Sequence, residues 1–190
     1  MSANDPSLRG VTPGLSGPDD DEAVVDVSGT ARINDVDVAA IRALRDTAFA
    51  APATATTSWQ VSTRWAKGCE DQTHRFSGEG AGDEDPTPQE ELLGVVNACL
   101  LLGLRIRCAL DRLQLDMIEV TTTGEADLRS LVGLPAHDPG LRNIKVDIVI
   151  EAKAGEGRLR RLAREALEAS PVLSTLRRTV DLTSEIAIRG

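Results

Sequence analysis

Thr87-Pro88-Gln89-Glu90-Glu91-Leu92-Leu93-Gly94-Val95-Val96-Asn97-Ala98-Cys99-Leu100-Leu101-Leu102-Gly103-Leu104 is the stretch on which the fold turns. Threonine suits a helix N-cap and proline the first helical position. Gln89, Glu90 and Glu91 follow, and the helix dipole favours carboxylates in a first turn. The spacing predicts a helix from Pro88 to about Leu113. From Leu92 to Leu104 it is apolar all round, interrupted only by Asn97, so burial on every side is expected. That run is too short to span a bilayer. Beyond it, Arg105, Arg107, Asp111 and Arg112 are available to meet water.

On the N-terminal side, Trp59, Val61, Thr63 and Trp65 alternate onto one face, as a strand requires. Lys67-Gly68 reads as a turn, and Cys69 to Phe76 as a returning strand. Residues 77–88 read as a Gly/Asp/Pro-rich loop. Its Gly78-Glu79-Gly80-Ala81-Gly82 lacks the lysine of a phosphate loop, and its acidic neighbours would repel phosphate. Further upstream, Asn34 is placed to cap a helix carrying Val38, Ile41 and Leu44, with Asp37 in its first turn, ending before Pro52. Residues 1–31 are rich in Gly, Pro, Ser and Asp and read as a disordered acidic extension.

On the C-terminal side, Ile118, Val120 and Thr122 suggest a strand. Ile144, Val146, Ile148 and Ile150 alternate with Lys145, Asp147, Val149 and Glu151 in a half-buried one. Leu159, Leu162, Ala163, Ala166 and Leu167 mark an amphipathic helix. Ser170-Pro171 starts a short one, and Val180, Leu182 and Ile186 a closing strand. The class is α+β: residues 32–57 form a helix and linker, and 58–188 one domain.

Composition narrows the function. The chain has 190 residues and a net charge of −9, with 41% hydrophobic but only 2% aromatic residues and no tyrosine. Its core must be aliphatic. Acidity and the lack of stacking platforms argue against nucleic acid, and acidity argues against anionic membrane. No apolar leader is visible, so a cytoplasmic location is expected. Cys69, Cys99 and Cys108 suit neither a disulfide framework nor a zinc site. Cys69, Asp71 and His74 are a poor metal set, and no metal or cofactor is expected. His137, beside Asp138, reads as solvated. By pattern alone Cys99 and Cys108 are buried packing residues. Cys108 lies about two and a half turns beyond Cys99 and faces nearly the opposite way.

Pro88-Gln89-Glu90-Glu91-Leu92-Leu93 leading to Asn97-Ala98-Cys99-Leu100 resembles the central-helix motif of the OsmC/Ohr superfamily, the osmotically inducible and organic hydroperoxide resistance proteins. Leu113 to Thr123, Asp127-Leu128-Arg129 with Leu134, and Gly140 before the 144–150 strand are similar to the family's sequel. Ser170-Pro171-Val172 is similar to its Cys-Pro-Val motif. The resemblance implies antiparallel sheets wrapped around a long central helix in an intertwined homodimer. It also implies reduction of organic hydroperoxides, with Cys99 at the peroxide-attacking position. Ser170 occupies the resolving position and, as a serine, cannot form a disulfide; it is expected to cap a helix and not to react. Gln89 replaces the family's glutamate. The activating arginine, which the family takes from an N-terminal strand, is matched by Arg64 or Arg75.

These departures leave three readings open. One is a one-cysteine thiol peroxidase, with Cys99 as nucleophile and an external thiol as reductant. Another is a non-catalytic dimeric module binding a small apolar ligand. The last is a thiol sensor whose oxidised Cys99 alters a partner contact.

Overall fold

The computed structural model describes residues 32–34, 36–69, 72–78, 85–135, 138–178 and 182–189. The expectations for residues 1–31, for Asp71, for the glycine-rich segment 79–84, for His137 and for Val180 lie outside the described residues.

The chain divides into two units, residues 1–39 and 40–190. In the first, β1 (Arg32–Ile33) and β2 (Val36–Asp37) pair antiparallel. Asn34 adopts a left-handed φ of 51° between them. It therefore does not cap a helix as expected; asparagine is among the few residues that tolerate this conformation, which suits a tight turn. The helix that follows, α1, spans Val38–Ala50, and Asp37 closes β2 instead of entering its first turn.

In the second unit, a 3-10 turn at Pro52–Ala55 leads into β3 (Thr56–Ala66) and β4 (Thr73–Gly78). Between these strands Gly68 takes φ 86°, which the Lys67-Gly68 turn needs and a side chain would oppose. Then come α2 (Pro88–Leu110), β5 (Leu115–Asp127), β6 (Arg142–Ala152), α3 (Glu156–Ala169), α4 (Pro171–Leu176) and β7 (Leu182–Arg189). The sheet order is β4-β3-β5-β6-β7. All pairs are antiparallel except β6 and β7, so the expected antiparallel sheet is in fact mixed. The cause is connectivity. A hairpin reverses the chain, whereas α3 and α4 form a crossover that returns β7 in the direction of β6.

α2 starts as its sequence dictates. Thr87 and Glu90 form a reciprocal capping box, with the Thr87 N–H donating to Glu90 Oε2 at 2.9 Å. One side of the helix, Leu93, Val96, Leu100, Leu101, Leu104 and Cys108, is fully buried. Its residues from Val96 to Cys108 pack on Ile118 and Val120 of β5, on Ile144, Val146, Ile148 and Ile150 of β6, and on Leu159, Leu162 and Ala163 of α3, whereas Leu93 packs with Trp59, Val61 and Ala126. By length and composition α2 could cross a membrane, but here it is the core helix of the sheet-and-helix layers.

A buried polar network sets its position. Asn97, inaccessible to solvent, donates from Nδ2 to the Val61 carbonyl at 2.8 Å and to Thr63 Oγ1 at 3.1 Å. Its Oδ1 accepts from the Thr122 hydroxyl at 2.5 Å. Thr63 Oγ1 also meets His74 Nδ1 at 3.0 Å. One amide thus ties α2 to β3 and β5 and joins a chain reaching β4.

The C-terminus of α2 ends in a Schellman motif. The Leu113 N–H donates to the Cys108 carbonyl at 2.8 Å and that of Arg112 to Ala109 at 3.0 Å. Arg112 fills the left-handed position, at φ 54°, where glycine is usual.

Candidate functional site around Cys99

The side of α2 away from the sheet is only partly covered. Leu92, Val95, Leu102, Ile106 and Leu110 are 39, 52, 54, 50 and 80% exposed, and Cys99 lies half-buried among them. Their spacing of three and four residues makes one continuous apolar stripe along the helix. Within a single chain, therefore, the expected burial on every side is reached on one side only. One sheet covers one face of a helix; the other face requires another layer.

Cys99 opens into a cavity of about 380 Å³ between α2 and the α3–α4 junction. Leu102, Ile106, Leu110, Ala166, Ala169 and Pro171 supply its apolar walls. Cys99 Sγ lies 3.3 Å from Ser170 Oγ. Ser170, buried, caps α4 by accepting the Leu173 N–H at 3.4 Å, with Pro171 at the first helical position. Because its oxygen serves the cap as acceptor, its proton remains free to be donated, and Sγ is within reach. The structure thus brings together the two residues that the sequence pattern sets 71 positions apart.

The cation of this cavity is Arg107, which lines it but is held by Glu165 at 3.4 Å. Arg64 and Arg75 are placed otherwise. Alternation along β3 turns Trp59, Val61 and Thr63 toward α2 and Arg64 away, and Arg64 is exposed. Arg75 pairs with Ser62, whose side chain is on that same far face. Neither arginine reaches Cys99 within the chain. Gln89 is half-buried in the first turn of α2. Its neighbour Glu90 is 3% exposed, and Glu90 Oε1 has no hydrogen-bond partner among the described residues.

The other thiols differ in environment. Cys108 is 1% exposed in the core; burial chiefly, and then the Asp111 charge, push its pKa up, opposed by Arg158. Cys69 is exposed, and its carbonyl accepts from Trp65 Nε1 at 3.1 Å. Elsewhere, the Arg129 guanidinium grips Asp127 through a 2.6 Å ion pair and lowers its pKa to about 2.

Sequence reasoning missed two features. In sequence Asn97 reads as an interruption of an apolar run, although a lone amide in such a run signals a buried polar tie. The stacking of Arg105 over Trp65, 4.8 Å from the ring centroid, had no local signal, because the two residues are far apart in sequence.

Residues 80–185 match the family model described as OsmC-like protein. No curated protein matches the sequence. Among solved structures, an OsmC-like protein from Mycoplasma pneumoniae is 14% identical with a TM-score of 0.51, over 68% of this chain and 96% of that one. An organic hydroperoxide resistance protein OsmC from Legionella pneumophila is 14% identical with a TM-score of 0.46, over 66% and 96%. The organic hydroperoxide resistance protein OhrB of Bacillus subtilis is 18% identical with a TM-score of 0.41, over 66% and 97%. The Mycoplasma likeness is one of fold.

Proposed function

The chain belongs to the OsmC-like protein family, and from that premise we propose that it is a homodimeric, peroxide-reactive protein in which Cys99 reduces small apolar hydroperoxides. The observation that carries this reading is the 3.3 Å contact between Cys99 Sγ and Ser170 Oγ inside an apolar cavity. A half-buried thiol with a hydroxyl donor and an open apolar approach suits a hydroperoxide with an organic tail. The Ser170 hydroxyl would donate to the thiolate while its oxygen keeps the cap of α4.

In the reaction the thiolate attacks the outer oxygen of ROOH, and the O–O bond breaks. Oxygen passes to sulfur as sulfenic acid, and ROH leaves after taking a proton. With serine at position 170 no internal disulfide follows. An external thiol attacks the sulfenic acid and expels water; a second thiol then releases Cys99 and leaves as the disulfide. The exposed stripe Leu92–Val95–Leu102–Ile106 supports a second copy as cover, since each leucine left in water forfeits up to about 1.5–3 kcal/mol.

One observation favours the alternative of a non-catalytic module for an apolar ligand. Arg64 and Arg75 lie on the far face of the sheet, and Arg107 is engaged by Glu165. A thiolate needs a nearby cation to overcome apolar surroundings. Cumene hydroperoxide followed by mass spectrometry of the Cys99 peptide separates the two. Peroxidase chemistry adds one or two oxygens to Cys99 before Cys69 or Cys108, reversed at the first stage by added thiol. Oxidation of Cys69 alone would leave the ligand-binding reading.

A further inference from the structure

Among the described residues that line the Cys99 cavity, Arg107 alone carries a charge. The α3 and α4 side of the cavity, Ala166, Ala169, Ser170 and Pro171, is neutral. We propose that the Arg107–Glu165 ion pair sets the reactivity of Cys99: the guanidinium favours the thiolate, and the Glu165 carboxylate restrains it by offsetting that charge. The proposal rests on the reading of Cys99 as a reactive thiol and places no ligand in the cavity.

Helix geometry brings the charge to bear on the sulfur. Arg107 follows Cys99 on α2 by about two turns, or about 12 Å along the axis. Side chains on a helix lean toward its N-terminus, so the guanidinium is directed back toward the thiol. Gly103 stands midway between the two, at the i,i+4 spacing from each, and so on the same side of the helix. With no side chain at that position, nothing on α2 separates the charge from the sulfur. α3 closes over this lane, since a Cβ at Gly103 would lie 4.0 Å from that of Ala166. Across such aliphatic surroundings a charge acts farther than through bulk water. Arg107 therefore acts through its field, without touching the thiol.

The ion pair is loose where it meets Arg107. Arg107 Nη1 and Glu165 Oε2 are 3.4 Å apart, and both side chains are partly exposed. Glu165 has a closer partner on its own helix, because its Oε1 accepts from Arg161 Nη1 at 2.8 Å. Arg161 in turn reaches Asp111 at 3.4 Å, and Arg158 holds Asp111 at 2.6 Å. Arg107 is thus the weakly held end of a charge series anchored on α3. Its carboxylate is shared with a better-placed cation, which leaves the guanidinium only partly offset.

The test is the rate at which iodoacetamide alkylates Cys99 in the full-length protein, followed across pH by mass spectrometry of the Cys99 peptide. The thiolate displaces iodide, so the rate follows the thiolate population with no peroxide present. At neutral pH Arg107→Gln should slow Cys99 about three- to tenfold, and Glu165→Gln should speed it by a similar factor. Arg107→Lys keeps the charge and should stay within about twofold of the parent. The double variant Arg107→Gln/Glu165→Gln should return close to the parent. The pH–rate profile should move to higher pH in Arg107→Gln and to lower pH in Glu165→Gln, a pair of shifts that lost packing does not produce. Salt at about 1 M should shrink the spread among the variants. Circular dichroism and urea midpoints check that each variant is folded. A change of the same sign in both single variants, or a change below about twofold in either, overturns the proposal. Opposite shifts together with a Cys99 that stays reduced in cumene hydroperoxide would uphold it and remove the peroxidase reading instead.

Discussion

Asn97→Ala removes the amide that ties α2 to β3 and β5 while leaving the helix pattern intact. The loss can be worked bond by bond. Two donations from Nδ2, to the Val61 carbonyl and Thr63 Oγ1, disappear, and Thr122 loses its acceptor. Thr63 retains His74, but Thr122 is fully buried and is left orphaned. A neutral hydrogen bond contributes about 1 kcal/mol net, and an orphaned buried hydroxyl costs about 1–3 kcal/mol. The sum is about 3–5 kcal/mol, or roughly 6–20 °C in Tm for a chain of this size. Urea denaturation at fixed protein concentration is the assay, since the proposed dimer would make stability concentration-dependent. Adding Thr122→Val should restore about 1 kcal/mol or more by removing the orphaned group, a non-additivity that a double-mutant cycle reads directly. A cost below about 1 kcal/mol for Asn97→Ala, or strict additivity with Thr122→Val, would refute the reasoning.

Three further predictions concern other elements. Leu102→Glu puts a carboxylate in the middle of the exposed stripe, so light scattering should change from twice the chain mass in the parent to the single-chain mass; persistence of the doubled mass would argue against that face as the interface. Ser170→Ala should cost about 1 kcal/mol through the lost cap of α4, and its peroxide-treated Cys99 should oxidise more slowly at neutral pH because the hydroxyl donor is gone; an unchanged oxidation rate would remove Ser170 from the chemistry. Asp127 has its pKa lowered in the folded state, so its contribution to stability is present above the unfolded value near 3.8 and is lost as pH falls toward about 2. Asp127→Asn should therefore flatten the stability profile between those values, and an unaltered profile would show that the pair with Arg129 is not the source.

Where side-chain period and end signals coincide, the fold was legible. Thr87-Pro88 and Glu90 mark the start of α2 because a capping box is a local device, and the alternation from Ile144 to Ile150 marks β6 because one of its faces is buried. Parallel pairing of β7 was not legible, since it depends on the path of α3 and α4 and not on residues of β7. Asn34 misled because the same side chain that caps helices also accepts the left-handed turn. At the site, the proximity of Cys99 and Ser170 came from resemblance alone; nothing local in either segment encodes it. Arg64 is the opposite case. The alternation that turns Val61 and Thr63 toward α2 already turns Arg64 away, so its position was implicit in the pattern of β3.

The three thiols also make the protein its own clock. Cys69 stands in solvent, Cys99 is half-covered, and Cys108 is sealed beneath the last turns of α2 with its pKa raised. An alkylating reagent of fixed concentration therefore meets three different gates. Cys69 reports the chemistry of the reagent itself. Cys99 reports whatever covers the open side of the helix. Cys108 labels only when the core around α2 opens, so its rate, divided by that of an unfolded reference peptide, measures how often the central helix leaves its bed.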